Sequence, residues 1–241
     1  MFFKDFKLAI SHYGEGFRLL SKLRLWKFIL VPALIAILVA AGIIWASFAL
    51  APSVGNYISD FWPFSFWENT IQSISNFLGS ALIIILGVIV FRHMVMAFSG
   101  PFMAPISRKI EDHLRGKKTI SEIGFMTSLL RSIRINVRNL LLETLLTLPF
   151  LLLGLIPIFN ILTIILLFFF SAYFAGFGNL DYTLERHFKY RDSVKWVQNH
   201  RGLATGNGTI FMFILLIPVV GILLVLPLSC SAATVSVVKK F

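Results

Sequence analysis

LIPIFNIL occupies residues 155–162 and LIPVVGIL residues 216–223, each in the middle of a long apolar run. The octets share five of eight positions, the proline among them. Proline removes a backbone donor and breaks a helix interior. In the later copy Gly221 follows Pro218 as a second break. A turn in the middle of a greasy segment reads as the tip of a helical hairpin.

The runs around these octets belong to a chain of 241 residues, 57% of them hydrophobic, with 25 Phe. Mean hydropathy is +0.84. Uncharged stretches of membrane length place the chain among integral membrane proteins rather than soluble domains. Charges within the first seven residues argue against a cleavable leader. One cysteine, Cys230, excludes an intrachain disulfide and a cysteine metal cluster. It reads as a small packing residue. The net charge of +11 suits loops that face anionic lipid.

Two spans are expected, at 28–50 and 70–91. Between them, APSVGNYISDFWPFSFWEN (51–69) carries Asp60 and Glu68 but no Lys or Arg, and Tyr57, Trp62 and Trp67 suit a membrane–water interface. The 22 basic residues fall six in 1–27, nine in 92–138, five in 181–201 and two in 239–241. The positive-inside rule then puts both termini and both basic regions in the cytoplasm, and 51–69 outside. The apolar runs 139–180 and 202–238 therefore each begin and end on the basic face. In the second, an arm from Gly208 to Ile217 spans about 15 Å, half the hydrocarbon core. It reads as re-entrant. Pro149, Gly154, Pro157 and Asn160 leave the first run open to two short spans, and the shared octet favours a second re-entrant hairpin. Paired interrupted segments point to a transport pathway. The alternative is a hairpin that anchors the protein in one leaflet.

The expected architecture is thus one all-α membrane domain over 1–241: two long transmembrane helices, two half-penetrating hairpins and amphipathic cytoplasmic helices. Residues 1–26 read as an interfacial helix divided at Gly14 and Gly16. A short helix over 101–115 follows Gly100-Pro101, and Thr119 with Glu122 forms a capping box for a longer one. Arg131, Arg134 and Arg138 share a face. That face reads as a solvated or headgroup-facing stripe, or as a funnel for anions. The ATGNGT string at 204–209 reads as a loop opening the second hairpin. Histidines 12, 93, 113, 187 and 200 lack metal-ligand spacing, and no catalytic or nucleotide motif appears. No enzyme and no cofactor are expected. Glu143 is the one acid inside an apolar run: a candidate pathway residue, or one that pairs at the interface near Arg138. With it, Asn160, Pro157 and Pro218 mark the expected pathway.

GFRLLSKLRLWKFILVP (16–32), SGPFMAPISRKIE (99–111), LIPIFN, FSAYFAGFGNLDYTLERH (170–187) and IPVVGILLVLPLSCSAAT (217–234) together resemble the CysZ family of bacterial sulfate permeases, in the wider etoposide-induced-protein-like superfamily. The resemblance implies an oligomer of inner-membrane protomers, and sulfate uptake feeding sulfur assimilation and cysteine synthesis. It also implies an oxyanion site at a Gly-aromatic-x-Leu turn: backbone amides at Gly16, Phe17, Arg18 and Leu19, completed by Lys27. Leu23-Arg24 stands where the family has Pro-Gly, and Trp26 where it has the first residue of a basic pair. Arg24 supplies a charge one turn away. A non-transporting scaffold that binds anionic lipids through its basic patches is the competing expectation. Transport implies a small oxyanion as partner; neither reading implies nucleic acid.

Overall fold

The computed structural model describes residues 2–60, 68–118, 123–154, 156–217 and 220–241, without the side chains of 68, 151, 152, 157, 220 and 222. Every described element is helical. They are α1 (Phe2–Lys22), a 3₁₀ turn (Leu25–Ile29), α2 (Leu30–Ser59), α3 (Glu68–Arg115), α4 (Phe125–Gly154), a second 3₁₀ turn (Pro157–Phe159), α5 (Asn160–Leu184), α6 (Tyr190–Asn199), α7 (Arg201–Leu215) and α8 (Val220–Val238). Trp62, Trp67, the capping pair Thr119 and Glu122, and Pro218 lie outside the described residues. Among the described residues, three stretches are long and apolar enough to cross a membrane: Leu25–Ser59, Asn69–Arg115 and Asn160–Leu184.

The chain divides into two compact units, Leu34–Val95 and the remainder. In the smaller unit α2 and α3 run antiparallel. Gly87 faces Ile43, Gly79 faces Ala51, and Gly55 faces Asn76. The ends are tied by polar side chains, with Ser59 donating to Gln72 (2.9 Å) and Gln72 to Asn56 (2.8 Å). Outward faces carry Ile37, Leu38, Trp45, Phe48, Phe77, Ile85 and Val88, all exposed. A two-helix unit clad in apolar side chains needs lipid around it.

In the larger unit both octets form turns between packed helices, α4 with α5 and α7 with α8. At the first, Phe159 N–H donates to the Ile156 carbonyl (3.0 Å); at the second, Gly221 N–H donates to the Ile217 carbonyl (2.8 Å). Further packing joins α5 to α7 and α8, and α1 to α7 and α8.

Four local expectations are corrected. First, α1 is not divided at Gly14 and Gly16 but runs unbroken from Phe2 to Lys22. Gly16 is small because it crosses α8: a Cβ there would lie 2.8 Å from the Ala232 nitrogen. Second, α3 continues through Pro101 and Pro105 to Arg115. An interior proline costs about 3 kcal/mol, and tertiary contact offsets it. Met103, Ile106, Ser107 and Ile110 are fully buried, and Tyr182 donates to the Met96 carbonyl (2.7 Å). Third, 204–209 is not a loop but the buried middle of α7. A Cβ on Gly208 would collide with the Ala172 carbonyl, and one on Gly176 with the Ala204 carbonyl. Gly202 and Gly206 face Phe2 and Phe6 of α1 in the same way. Small residues here let three backbones approach. The arm also begins at Arg201 rather than Gly208. Fourth, the arginine face of α4 is not free along its whole length: Arg131 is held inside the fold, whereas Arg134 is exposed. Arg131 grips Asp181 through two hydrogen bonds of 3.0 and 2.9 Å, Arg134 lies 3.9 Å from the Tyr190 ring centroid, and Arg138 5.1 Å from that of Phe177. Cys230 is buried, as expected.

Candidate anion site

The chain leaves α1 through a tight reversal. Leu23 N–H donates to the Leu19 carbonyl (2.9 Å) and Arg24 N–H to the Ser21 carbonyl (3.1 Å). Arg24 itself has φ 52°, the left-handed conformation that ends helices, here in a residue other than glycine. The 3₁₀ turn then folds back: Trp26 Nε1 donates to Ser21 Oγ (3.0 Å), and its ring meets Phe17 edge-on at 5.4 Å.

This geometry redistributes the expected site residues. Gly16, Phe17, Arg18 and Leu19 lie inside the last two turns of α1, where amides are used within the helix and the terminus presents carbonyls. No amide nest forms there; the resemblance implied a turn, and the crossing on α8 keeps the segment helical. Gly16 and Leu19 are buried packing residues, and Phe17 carries Trp26. Arg18, Arg24 and Lys27 are exposed.

What sequence reasoning missed is the end of α3. Lys27 and Lys109 both lie over the Phe28 ring, at 5.6 and 5.7 Å from its centroid. One turn further, His113 Nε2 accepts a hydrogen bond from Lys22 Nζ at 3.3 Å. Lys109 and His113 are four apart and share a face of α3. A cleft of about 590 Å³ beside them is lined by Ser11, Glu15, Arg18, Lys22 and His113. Glu15 is drawn off by Lys239 at 2.5 Å. Arg18 and Lys22 line this cleft, and Lys27 and Lys109 share the Phe28 ring nearby; a local excess of positive charge is a setting an anion relieves. A signal was available: in SRKIEDH, Lys109 and His113 fall four apart, on one helical face.

Deeper on the same side, Glu111 is fully buried and holds three partners: Arg186 (2.9 Å), His187 (2.7 Å) and Arg115 (2.9 Å). Ser107, Thr183 and Thr234 form a hydroxyl triangle of 2.7–3.0 Å edges beside it. A neighbouring cavity of about 500 Å³ brings Lys109, Lys118 and Arg186 together with Glu185. Burial, then the neighbouring Asp181, pushes the Glu185 carboxyl up to about 7, against the pull of Ser128.

The pathway residues lie elsewhere. Glu143 accepts a hydrogen bond from Ser171 at 2.6 Å. Asn160 is exposed at the start of α5, beside the turn that Pro157 opens. Eleven residues separate Asn160 from Ser171, so they share a face of α5 about 16 Å apart. The structure does not bring this row together with Arg24 and Lys27.

Apolar helices of membrane-crossing length define a helical membrane protein. Residues 12–225 match the family model described as Sulfate transporter CysZ/Etoposide-induced protein 2.4. The chain belongs to that family. It is similar to the "Sulfate transporter CysZ" of Pseudomonas aeruginosa strain PAO1, 24% identical over 243 residues, 95% of this chain and 94% of the relative. The protein of the same name in Pseudomonas syringae pv. tomato is 25% identical over 235 residues, 95% of this chain and 91% of the relative.

Proposed function

We propose that the chain is an anion permease of the bacterial inner membrane that takes up sulfate for sulfur assimilation and cysteine synthesis. The observation that carries the reading is the convergence of Lys27 with Lys109 at Phe28, beside Lys22 and His113. A sulfate dianion set there offsets like charges and gains charge-assisted hydrogen bonds. Arg18 and Arg24 extend the patch. Family membership and the names of the relatives support the choice of sulfate. With both termini in the cytoplasm, the patch faces inward and is the release end of the route.

The second hairpin is re-entrant in this proposal, whereas α5 of the first is long and apolar enough to cross. The 15 residues of α7 reach about 22 Å, short of the roughly 30 Å hydrocarbon core. The row from Asn160 to Glu143 lines the first hairpin's share of the route, and Pro157 shapes its tip. Protomers assemble as a homo-oligomer, which covers backbone at membrane depth.

Uptake of radiolabelled sulfate into liposomes bearing the purified protein tests this. Saturable uptake, lowered at least tenfold in Lys27→Ala/Lys109→Ala, is expected. Folded protein no faster than empty liposomes overturns the permease. An unchanged double variant overturns the site.

A further inference from the structure

A groove of about 610 Å³ opens between α1, α4, α5 and α7, within the roughly 300–1,000 Å³ typical of small-molecule sites. We propose that it binds one anionic glycerophospholipid, with an acyl chain inside and the phosphate on Arg138 and Arg201. This site is separate from the sulfate route and does not rest on it.

The groove is amphiphilic along its length. On α4, Arg138, Leu142 and Leu146 follow at four-residue intervals, one line about 12 Å long. α5 runs the other way: Glu143 meets Ser171, so Tyr173 and Phe174 lie toward the Arg138 end, and Phe169 and Phe170 lie deeper. Arg201 opens α7 next to Gln198 of α6, and both line the groove. One end therefore offers two guanidinium groups and an amide. The other end is carbon: Leu146, Phe169 and Phe170, with Phe6 of α1 closing the wall 6.5 Å from Phe169.

Arg138 Nη1 donates to Asn139 Oδ1 (3.1 Å) and Arg201 Nε to the Gln198 carbonyl (3.0 Å). A guanidinium has five N–H donors, so these bonds orient each fork and leave donors for phosphate oxygens. A peptide would suit the groove poorly. Its backbone groups need partners along their whole length, and the lining hydroxyl of Thr205 already donates to the Arg201 carbonyl (2.9 Å). A chain with one charged end and a hydrocarbon remainder matches both halves. The flanking Phe2 and Phe3 are exposed apolar side chains on the same α1 turn, suited to the membrane interface where such a lipid resides.

The test is native mass spectrometry of the whole protein, released from detergent after exchange into phosphatidylglycerol or phosphatidylcholine of equal chain length. Wild type is expected to retain one phosphatidylglycerol per chain, at least tenfold in preference to phosphatidylcholine. Arg138→Ala/Arg201→Ala should lose that preference. Leu142→Trp, which fills the groove and keeps both arginines, should lose the lipid while its circular dichroism stays helical. Retention in Leu142→Trp would overturn the acyl pocket. Equal retention of both lipids by wild type would overturn the anionic headgroup. Displacement of the lipid by millimolar inorganic phosphate would make this a small-anion site. A change of oligomeric state in Leu142→Trp, with lipid retention unaltered, would assign the groove to a second copy of the chain.

Discussion

The two octet hairpins share a turn and differ in everything around it. In α7–α8 the interior reaches well along both arms: Gly202 to Thr209 is buried without a break, as is most of the stretch from Val225 to Val237, while the tip, with Phe213, Leu216 and Ile217, is exposed. In α4–α5 only the base is interior. Phe174 to Leu184 is buried, whereas Leu141, Leu145, Leu148, Ile158, Ile161 and Ile164 are exposed. The buried hairpin carries glycines and amides, and the exposed one carries branched and aromatic carbon. Inside the protein, close backbone approach and satisfied polar groups stabilise the contact. Against lipid, apolar area is enough. An amide and hydroxyl chain makes the point: Asn179 donates to Asn207 (2.9 Å), Asn207 to the Ser229 carbonyl (3.0 Å), and the Tyr13 hydroxyl bridges the Asn207 carbonyl (2.6 Å) and Ser229 Oγ (2.8 Å). It links α5, α7, α8 and α1.

The contrast breaks most readily where the two hairpins share partners. Glu111→Ala strands Arg186, whose side chain is 3% exposed, and should cost about 3–5 kcal/mol. Chemical denaturation in detergent measures this; a loss under about 1 kcal/mol would show that the ionic clamp contributes little. Gly208→Val drives a side chain into the Ala172 carbonyl and should cost about 3 kcal/mol. Gly154 meets only the Thr163 methyl, at 3.3 Å. There an alanine should be tolerated within about 1 kcal/mol, and equal effects at the two glycines would dissolve the distinction.

Glu185 caps the base of the exposed hairpin, and its effect is one of pH. Its folded carboxyl titrates about 7 against an ordinary 4.5, so the folded state holds the extra proton between those values. Stability is therefore lost as pH rises through that window, by about 2–3 kcal/mol. Melting temperatures at pH 5 and pH 8 should differ less in Glu185→Gln than in wild type. Asn207→Ala removes two hydrogen bonds of the buried chain and should cost about 1–2 kcal/mol. At the small end, Ile158→Val on the exposed tip should change stability by less than about 0.5 kcal/mol.

Patterns that repeat along one helix were readable without coordinates. Apolar runs of membrane length, basic residues grouped outside 51–69 and the paired proline octets all report on solvent or on local turn chemistry. Glycine was harder. Gly14 and Gly16 look alike in sequence, yet one faces open space and the other the backbone of α8. The glycines of 202–208 suggest a loop until α1 and α5 are seen against them. The candidate site divides the same way. Arg18, Arg24 and Lys27 were marked by a local segment, whereas Lys109 and His113 became partners only when α3 returned beside the first turn.

By itself the sequence determined that this chain is helical, suits a membrane and turns back within its apolar runs, because hydropathy and lost backbone donors act within a few residues of their cause. The tertiary structure alone decided which helices run on through glycine and proline, which cations are held and which gather, and where Glu111 finds its partners. Those outcomes depend on free energies of contact between residues up to 235 positions apart, as Asp5 and Lys240 are. A local propensity of about 1–3 kcal/mol yields when such packing opposes it.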